Sequence, residues 1–236
     1  MEPVSASTGA RARVRAELTT EIKELARRHI AEHGPDGLSL RAVARDLGLV
    51  SSALYRYFPS RDDLLTALIV DAYSSIGEAA EVAESSVRRS DLMGRWLAAT
   101  RATRRWALAH PHEWALIFGS PVPDYRAPTD TVDPAARLPF LLLAIAGEAA
   151  RQRPGTRPPE PPMPRVVHGD LRALRDATGT ALTDAELARA IAAWTALVGS
   201  ISFELFGHLH NVITDYDAFF RHQMRTVGIG LGLARS

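Results

Sequence analysis

The sequence predicts an all-α protein. Three observations carry this reading. Apolar residues recur at three- and four-residue spacing through most of the chain, as in amphipathic helices. Gly, Pro, Ser and Asp stand where that pattern breaks, as helix stops and caps do. No stretch reads as a convincing strand, and no internal repeat appears. The chain has 236 residues, enough for one large domain or a small domain joined to a larger one.

Residues 1–13 are small and polar without periodicity and are expected to form a disordered basic arm carrying Arg11 and Arg13. From Val14 to His33, Leu18, Ile22, Leu25, Ala26 and Ile30 mark the first amphipathic helix, which Gly34 and Pro35 end. Ser39 can cap a second helix with Leu40, Val43, Ala44 and Leu47 inward, and Gly48 supplies a left-handed turn residue. A short third helix is expected from about Ser51 to Phe58, with Leu54 and Phe58 inward, and Pro59 stops it. Ser60 and Asp63 make a capping box for a long fourth helix with Leu64, Leu65, Leu68, Ile69 and Ala72 on its buried side. These boundaries give an N-terminal domain over 14–60 and a C-terminal domain over 61–236.

Further helices are expected over Asp91–Ala109 with Ser90 as cap, from Pro111 to about Phe118, and over Pro134–Gln152. Residues 119–133 read as a loop, and the proline-rich 153–164 cannot be helix. The segment near 166–177 is ambiguous. Thr183 caps a long helix reaching about Asn211, and a last helix spans about Asp217–Leu233.

Composition narrows the function. Cysteine is absent, so there is no disulfide framework and no thiolate chemistry. No stretch approaches the roughly 18 consecutive apolar residues that cross a bilayer. The N-terminus lacks the apolar core of a signal peptide, so a soluble, cytoplasmic protein without membrane contact is expected. The formal net charge of +1 says little. Its distribution says more: Arg11, Arg13, Arg15, Arg41, Arg45, Arg56 and Arg61 gather at the N-terminal end. The guanidinium fork suits phosphate and guanine.

A short helix, a Gly-led turn and a second short helix ending in aromatics make a helix-turn-helix. In such a motif the second helix enters the DNA major groove. Ser51, Ser52 and Ala53 are small enough for close approach. Ala53 suits a thymine methyl, and the serines suit base edges or phosphates. Tyr55, Arg56 and Tyr57 fan out around the helix and cannot all face the core, so the outward members can hold flanking phosphates. Arg41 stands where it can reach a phosphate or a guanine. An ordinary helix pair in a bundle is the alternative, and it would leave the exposed Tyr-Arg-Tyr without a task.

The stretch SLRAVARDLGLVSSALYRYFPSRDDLLTALI, residues 39–69, resembles the DNA-binding region of the TetR family of one-component bacterial regulators. The resemblance implies a three-helix N-terminal DNA-binding domain followed by a larger helical C-terminal domain for ligand binding and dimerisation, in a homodimer that binds a double-stranded DNA operator, responds to a largely apolar small molecule, and pairs through its last two helices. Carried over by position, Arg41, Ser51, Ser52, Ala53, Tyr55, Arg56, Tyr57 and Arg61 face DNA. The family pattern usually has Ser at the position of Val50. Residues 193–209 resemble the C-terminal type named for a Trp and a His-Gly pair, with Trp194 and Gly199 matching and Val198 at the place of the His.

Within the C-terminal domain, Trp96, Trp106, His110, Trp114, Phe118, Phe140, Trp194 and Phe203 are candidates to line a ligand cavity. Plain core packing is the competing reading for each aromatic. Arg104, Glu148 and His208 are candidate polar anchors. The pairs His110/His112 and His208/His210 have two-residue spacing, which on a helix points them about 200° apart, so no metal site is expected. No nucleophile elbow and no phosphate-binding Gly loop occurs, so neither an enzyme nor a cofactor is expected. The function reading is a ligand-responsive repressor. A helical small-molecule binder without DNA binding and an enzyme using the C-terminal cavity are the alternatives.

Overall fold

Among the described residues ten α-helices follow one another and no strand occurs. The computed structural model describes residues 4–152 and 162–234, with side chains from residue 11 onward. The chain divides into two units, one comprising residues up to Ala72 with His112–Val132, the other Tyr73–Pro111 with residues from Asp133 on.

In the first unit α1 spans Val4–His33. It starts ahead of Val14, where the apolar periodicity begins, and runs through most of the segment expected to be disordered. Residues 11–17 are all exposed, so these turns rest on the helix propensity of Ala and Arg and not on burial. From Ile22 onward α1 buries Ile22, Leu25, Ala26 and Ile30. Helices α2 (Leu40–Asp46) and α3 (Ser51–Leu54) follow, then α4 (Arg61–Ser85). Leu40, Val43, Ala44, Leu54, Phe58, Leu64, Leu65 and Leu68 are buried as well. Burying each large apolar side chain is worth about 1.5–3 kcal/mol.

Helix α6, Pro111–Phe118, is held to this unit by charge. Asp71 of α4 takes Lys23 Nζ at 2.9 Å and Arg27 Nη2 at 2.8 Å, and Arg27 Nε reaches Glu113 of α6 at 3.1 Å. The hydroxyls of Thr66 and Tyr125, 2.9 Å apart, add a second tie to the loop after α6.

The second unit is organised on α5, Leu92–Ala109. Its N-cap is Asp91, which accepts from the Gly94 amide, and not the expected Ser90. A carboxylate at that position satisfies an orphan donor and complements the helix dipole. Helices α7 (Val132–Gln152), α8 (Arg165–Thr178), α9 (Asp184–Leu205) and α10 (Tyr216–Gly230) complete the helices of this unit among the described residues. Residues 153–161, most of the expected proline-rich loop, lie outside the described residues. The ambiguous segment is helical, and Leu171 packs from it onto Leu182 and Leu187. Thr183 and Glu186 form a reciprocal capping box that starts α9.

Helix α9 ends at Leu205, short of the expected Asn211, because Gly207 adopts φ 77°. Its amide returns to Glu204 and that of His208 to Phe203, the paired bonds of a Schellman stop. Trp96 donates Nε1 to the Met224 carbonyl at 2.8 Å, tying α5 to α10. A Cβ on Gly228 would stand 2.9 Å from Met93 Sδ and 3.1 Å from Trp96 Cδ1, so α10 approaches α5 at a glycine.

Two arginines are buried in this unit with their carboxylates. Arg95, 1% exposed, bonds Glu84 of α4 and Glu148 of α7. Arg104 grips Glu204 of α9 with two 2.7 Å bonds and reaches Asp217 of α10 at 3.1 Å.

Candidate nucleic-acid interface

The turn between α2 and α3 is set by backbone chemistry. Ser39 caps α2 by accepting from the Ala42 amide. Gly48 takes φ 68°; its amide bonds the Arg45 carbonyl at 3.0 Å, and the Leu49 amide bonds Ala44 at 2.8 Å. This is again the Schellman pair. A residue with a Cβ at that φ costs roughly 1–2 kcal/mol.

Helix α3 is regular only through Leu54, shorter than the expected Ser51–Phe58. Beyond it the chain keeps a helical turn: the Tyr57 and Phe58 amides both bond the Leu54 carbonyl, at 2.9 and 3.1 Å. Leu54 and Phe58, one turn apart, are buried and anchor the segment. Pro59 then breaks the turn. Ser60 Oγ accepts from the Asp63 amide at 3.1 Å and donates to its carboxylate at 2.7 Å, starting α4.

With those anchors fixed, Arg41, Ser52, Tyr55 and Arg56 are exposed, and Ser51, Ala53 and Tyr57 are half-buried. Two of the expected DNA-facing residues have partners inside the protein. Arg61 donates Nη2 to the Pro35 carbonyl at 2.9 Å, closing the turn between α1 and α2. Tyr57 lies under Arg15, whose guanidinium carbon is 4.9 Å from the ring centroid, while Arg15 Nη2 donates to the Arg56 carbonyl at 3.3 Å. Arg15 was legible only as part of a basic arm. Its partner is more than forty positions away, and no local pattern signals the pairing.

A second tie lies behind the motif. His29 Nε2 meets Asp46 Oδ2 at 2.9 Å, joining α1 to the end of α2. The Asp46 carboxyl is held below its ordinary value by the hydrogen bond from Arg45 first and by His29 second.

The aromatics proposed for a ligand cavity do not gather in one place. Trp114 and Phe118 tilt against each other in the first unit, centroids 4.5 Å apart. Trp96 is core, as described above. Trp106 donates to Ser75 Oγ at 2.8 Å and stacks on His110 at 4.9 Å. Phe203 is 52% exposed and tilts against His208. Phe140 and Trp194 do share a cavity of about 120 Å³ between α7, α8 and α9, with Leu143, Leu174, Leu187 and Ile191. A larger hollow of about 430 Å³, unsignalled by any aromatic, opens near Asp91, Met93, Gln152 and Arg225. Arg104 and Glu148, the expected polar anchors, are already engaged by carboxylate and guanidinium. The Glu148 carboxyl is held low by its hydrogen bond from Arg95.

Among the described residues no group of three or more His, Asp or Glu side chains converges on a metal position, and no helix is long and apolar enough to cross a membrane.

An all-helical chain with an exposed, small-to-aromatic second helix on a Schellman turn belongs to the class of helix-turn-helix regulators. The family model for bacterial regulatory proteins of the tetR family matches residues 22–68, and the model for the tetracyclin repressor-like C-terminal domain matches residues 96–227. The HTH-type transcriptional regulator Rv1816 of Mycobacterium tuberculosis is 38% identical over 221 residues, covering 92% of this chain and 93% of that protein. The crystal structure of SCO4313, a candidate regulatory protein, is 32% identical with a TM-score of 0.75, covering 92% of this chain and 97% of that one. A protein of unknown function from Rhodococcus sp. RHA1, 24% identical with a TM-score of 0.69, shares the fold over 91% of this chain and 95% of its own. This chain belongs to the TetR family of DNA-binding transcriptional regulators.

Proposed function

We propose that the protein is a homodimeric repressor that binds a pseudo-palindromic operator and releases it when a small apolar effector binds. The observation that carries the DNA contact is the division of the recognition segment: Leu54 and Phe58 buried, Ser52, Tyr55 and Arg56 exposed on the other sides. Small side chains permit approach to base edges, and the tyrosine and arginine suit phosphates. Arg41 extends the same surface from α2.

Dimerisation is supported by the outer face of α9. Ile191, Thr195, Phe203 and Phe206 are exposed, with Gly199 and Ser202 half-buried among them. They recur at helical spacing and form an apolar stripe with small residues in the middle, the composition of a close helix–helix seam. Ile229 on α10 is also exposed and adds apolar surface to the last helix.

The cavity lined by Phe140 and Trp194 is the best-supported effector site, because its lining carries no charged side chain. An effector shifts the operator equilibrium only if it binds the two states unequally. Two recognition helices must meet half-sites about 34–36 Å apart or at multiples of that spacing, so a change in their separation costs DNA affinity.

The test is fluorescence anisotropy with duplexes from upstream of the gene at several salt concentrations. Affinity should fall steeply with salt, since neutralised phosphates release counterions, and Arg56→Ala should weaken binding while the dimer stays folded. Binding that is absent or indifferent to salt would refute the DNA reading. An Arg56→Ala variant that binds like wild type would remove Arg56 from the interface.

A further inference from the structure

Val50 stands at the tip of the helix-turn-helix and is 70% exposed. It occupies the N-cap of α3 with extended backbone, φ −70° and ψ 140°, and its side chain makes no capping bond. Only its carbonyl is engaged, by the Ala53 amide at 2.9 Å. Valine is among the poorest N-cap residues, and Ser, Thr, Asp or Asn there would satisfy an amide. The chain therefore forgoes a cap to present an isopropyl group to solvent. That group is stiff, because β-branching restricts it to few rotamers.

The surrounding spacing gives the exposed group a context. Ala53, whose amide bonds the Val50 carbonyl, is the next small apolar residue along the segment and is half-buried. Val50 is thus the most exposed apolar group of the recognition segment. In the major groove thymine alone offers a methyl group, and apolar side chains are its natural contacts.

We propose that Val50 is a specificity-determining residue that reads the 5-methyl group of one thymine in each operator half-site, with Ala53 flanking it. The inference rests on the reading above that α3 enters the major groove. Burying one methyl-sized group is worth about 0.8 kcal/mol, so the contact should contribute about fourfold in affinity per half-site.

The experiment uses the full chain. An operator is selected from random duplex DNA by the wild-type protein, and each thymine is then replaced in turn by deoxyuridine. That change removes the methyl group and leaves every hydrogen-bonding group in place. One thymine per half-site should lose about fourfold in affinity on replacement, and Val50→Ser should bind the two bases equally there. Serine suits the N-cap, so the variant should melt no lower than wild type, which separates a lost contact from a damaged fold. If no thymine is sensitive, or if the sensitivity persists in Val50→Ser, the assignment of Val50 is overturned while the DNA reading survives. If the wild-type chain selects no duplex at all, both fall.

Discussion

Replacing Arg104 by alanine should destabilise the second unit more than any surface charge change. The side chain is 11% exposed and its main partner, Glu204, is 12% exposed. Two parallel bonds of 2.7 Å join them, a fork-on-carboxylate geometry that keeps the guanidinium charged and raises its pKa, chiefly through the hydrogen bond to Glu204. Alanine would leave the Glu204 carboxylate nearly buried without a counter-charge, and removing one partner of such a pair costs about 3–5 kcal/mol. The arm to Asp217, which is half exposed, adds at most about 1 kcal/mol. The guanidinium also lies 5.3 Å from the Phe220 ring centroid, and that contact is worth about 0.5–1 kcal/mol at sites of partial exposure. Partial relaxation and solvent entry favour the low end of the sum, so we expect a loss of about 3–4 kcal/mol. In a chain of this size that corresponds to a melting point lower by roughly 6–16 °C. Urea unfolding followed by tryptophan fluorescence, at one fixed protein concentration, measures it. The double variant Arg104→Met with Glu204→Leu removes both charges and should recover to within about 1–2 kcal/mol of wild type. A single-variant loss below about 1 kcal/mol would refute the claim that the pair is desolvated and mutually dependent.

Arg15→Ala should weaken operator binding by roughly three- to fivefold through loss of its stack on Tyr57. In a double-mutant cycle with Tyr57→Ala, the second change should then add little; full additivity in the binding titration would deny the coupling. Glu148→Gln should lower stability at neutral pH and make its fall in acid shallower. The folded Glu148 pKa is depressed by Arg95, so its contribution is complete at neutral pH and fades as pH falls below the ordinary glutamate value of about 4.3. Urea midpoints of wild type and variant should differ at pH 7 and converge in acid. Phe203→Asp should shift the protein toward monomer in sedimentation velocity, since it places a charge in the middle of the exposed α9 stripe.

The helix-turn-helix was legible because its signals are local. Ser39, Gly48, Pro59 and the Ser60–Asp63 pair each act within a few residues, and the structure gives each the cap or turn its chemistry specifies. The Trp residues were not legible in the same way. Whether an indole lines a cavity or fills a core depends on which backbone reaches its Nε1. For Trp96 that group is a carbonyl 128 positions along the chain. The internal bond of Arg61 was hidden for a related reason. The side chain's basic character suits phosphate, but the Pro35 carbonyl lies within reach in the folded unit and takes the donor. The end of α9 was misplaced because apolar residues continue at helical spacing past Gly207, and the positive φ of one glycine overrides that continuation.

The glycines of the last two helices separate once their surroundings are known. A glycine in such a helix can mark a close seam between two protomers or the fraying of a terminus. Gly228 does make a close approach, but its neighbours are Met93 and Trp96 of the same chain. Gly232 adopts φ 78°, and the Leu233 amide bonds the Gly228 carbonyl at 2.9 Å, so α10 ends in an ordered stop and not in a fray. Gly199 is different: a Cβ there would meet nothing within 4 Å, and glycine costs up to about 1 kcal/mol against alanine inside a helix. A protomer alone gains nothing from that choice. The proposal of a seam therefore rests on α9, where a costly glycine sits among exposed Ile191, Thr195, Phe203 and Phe206 and faces open space.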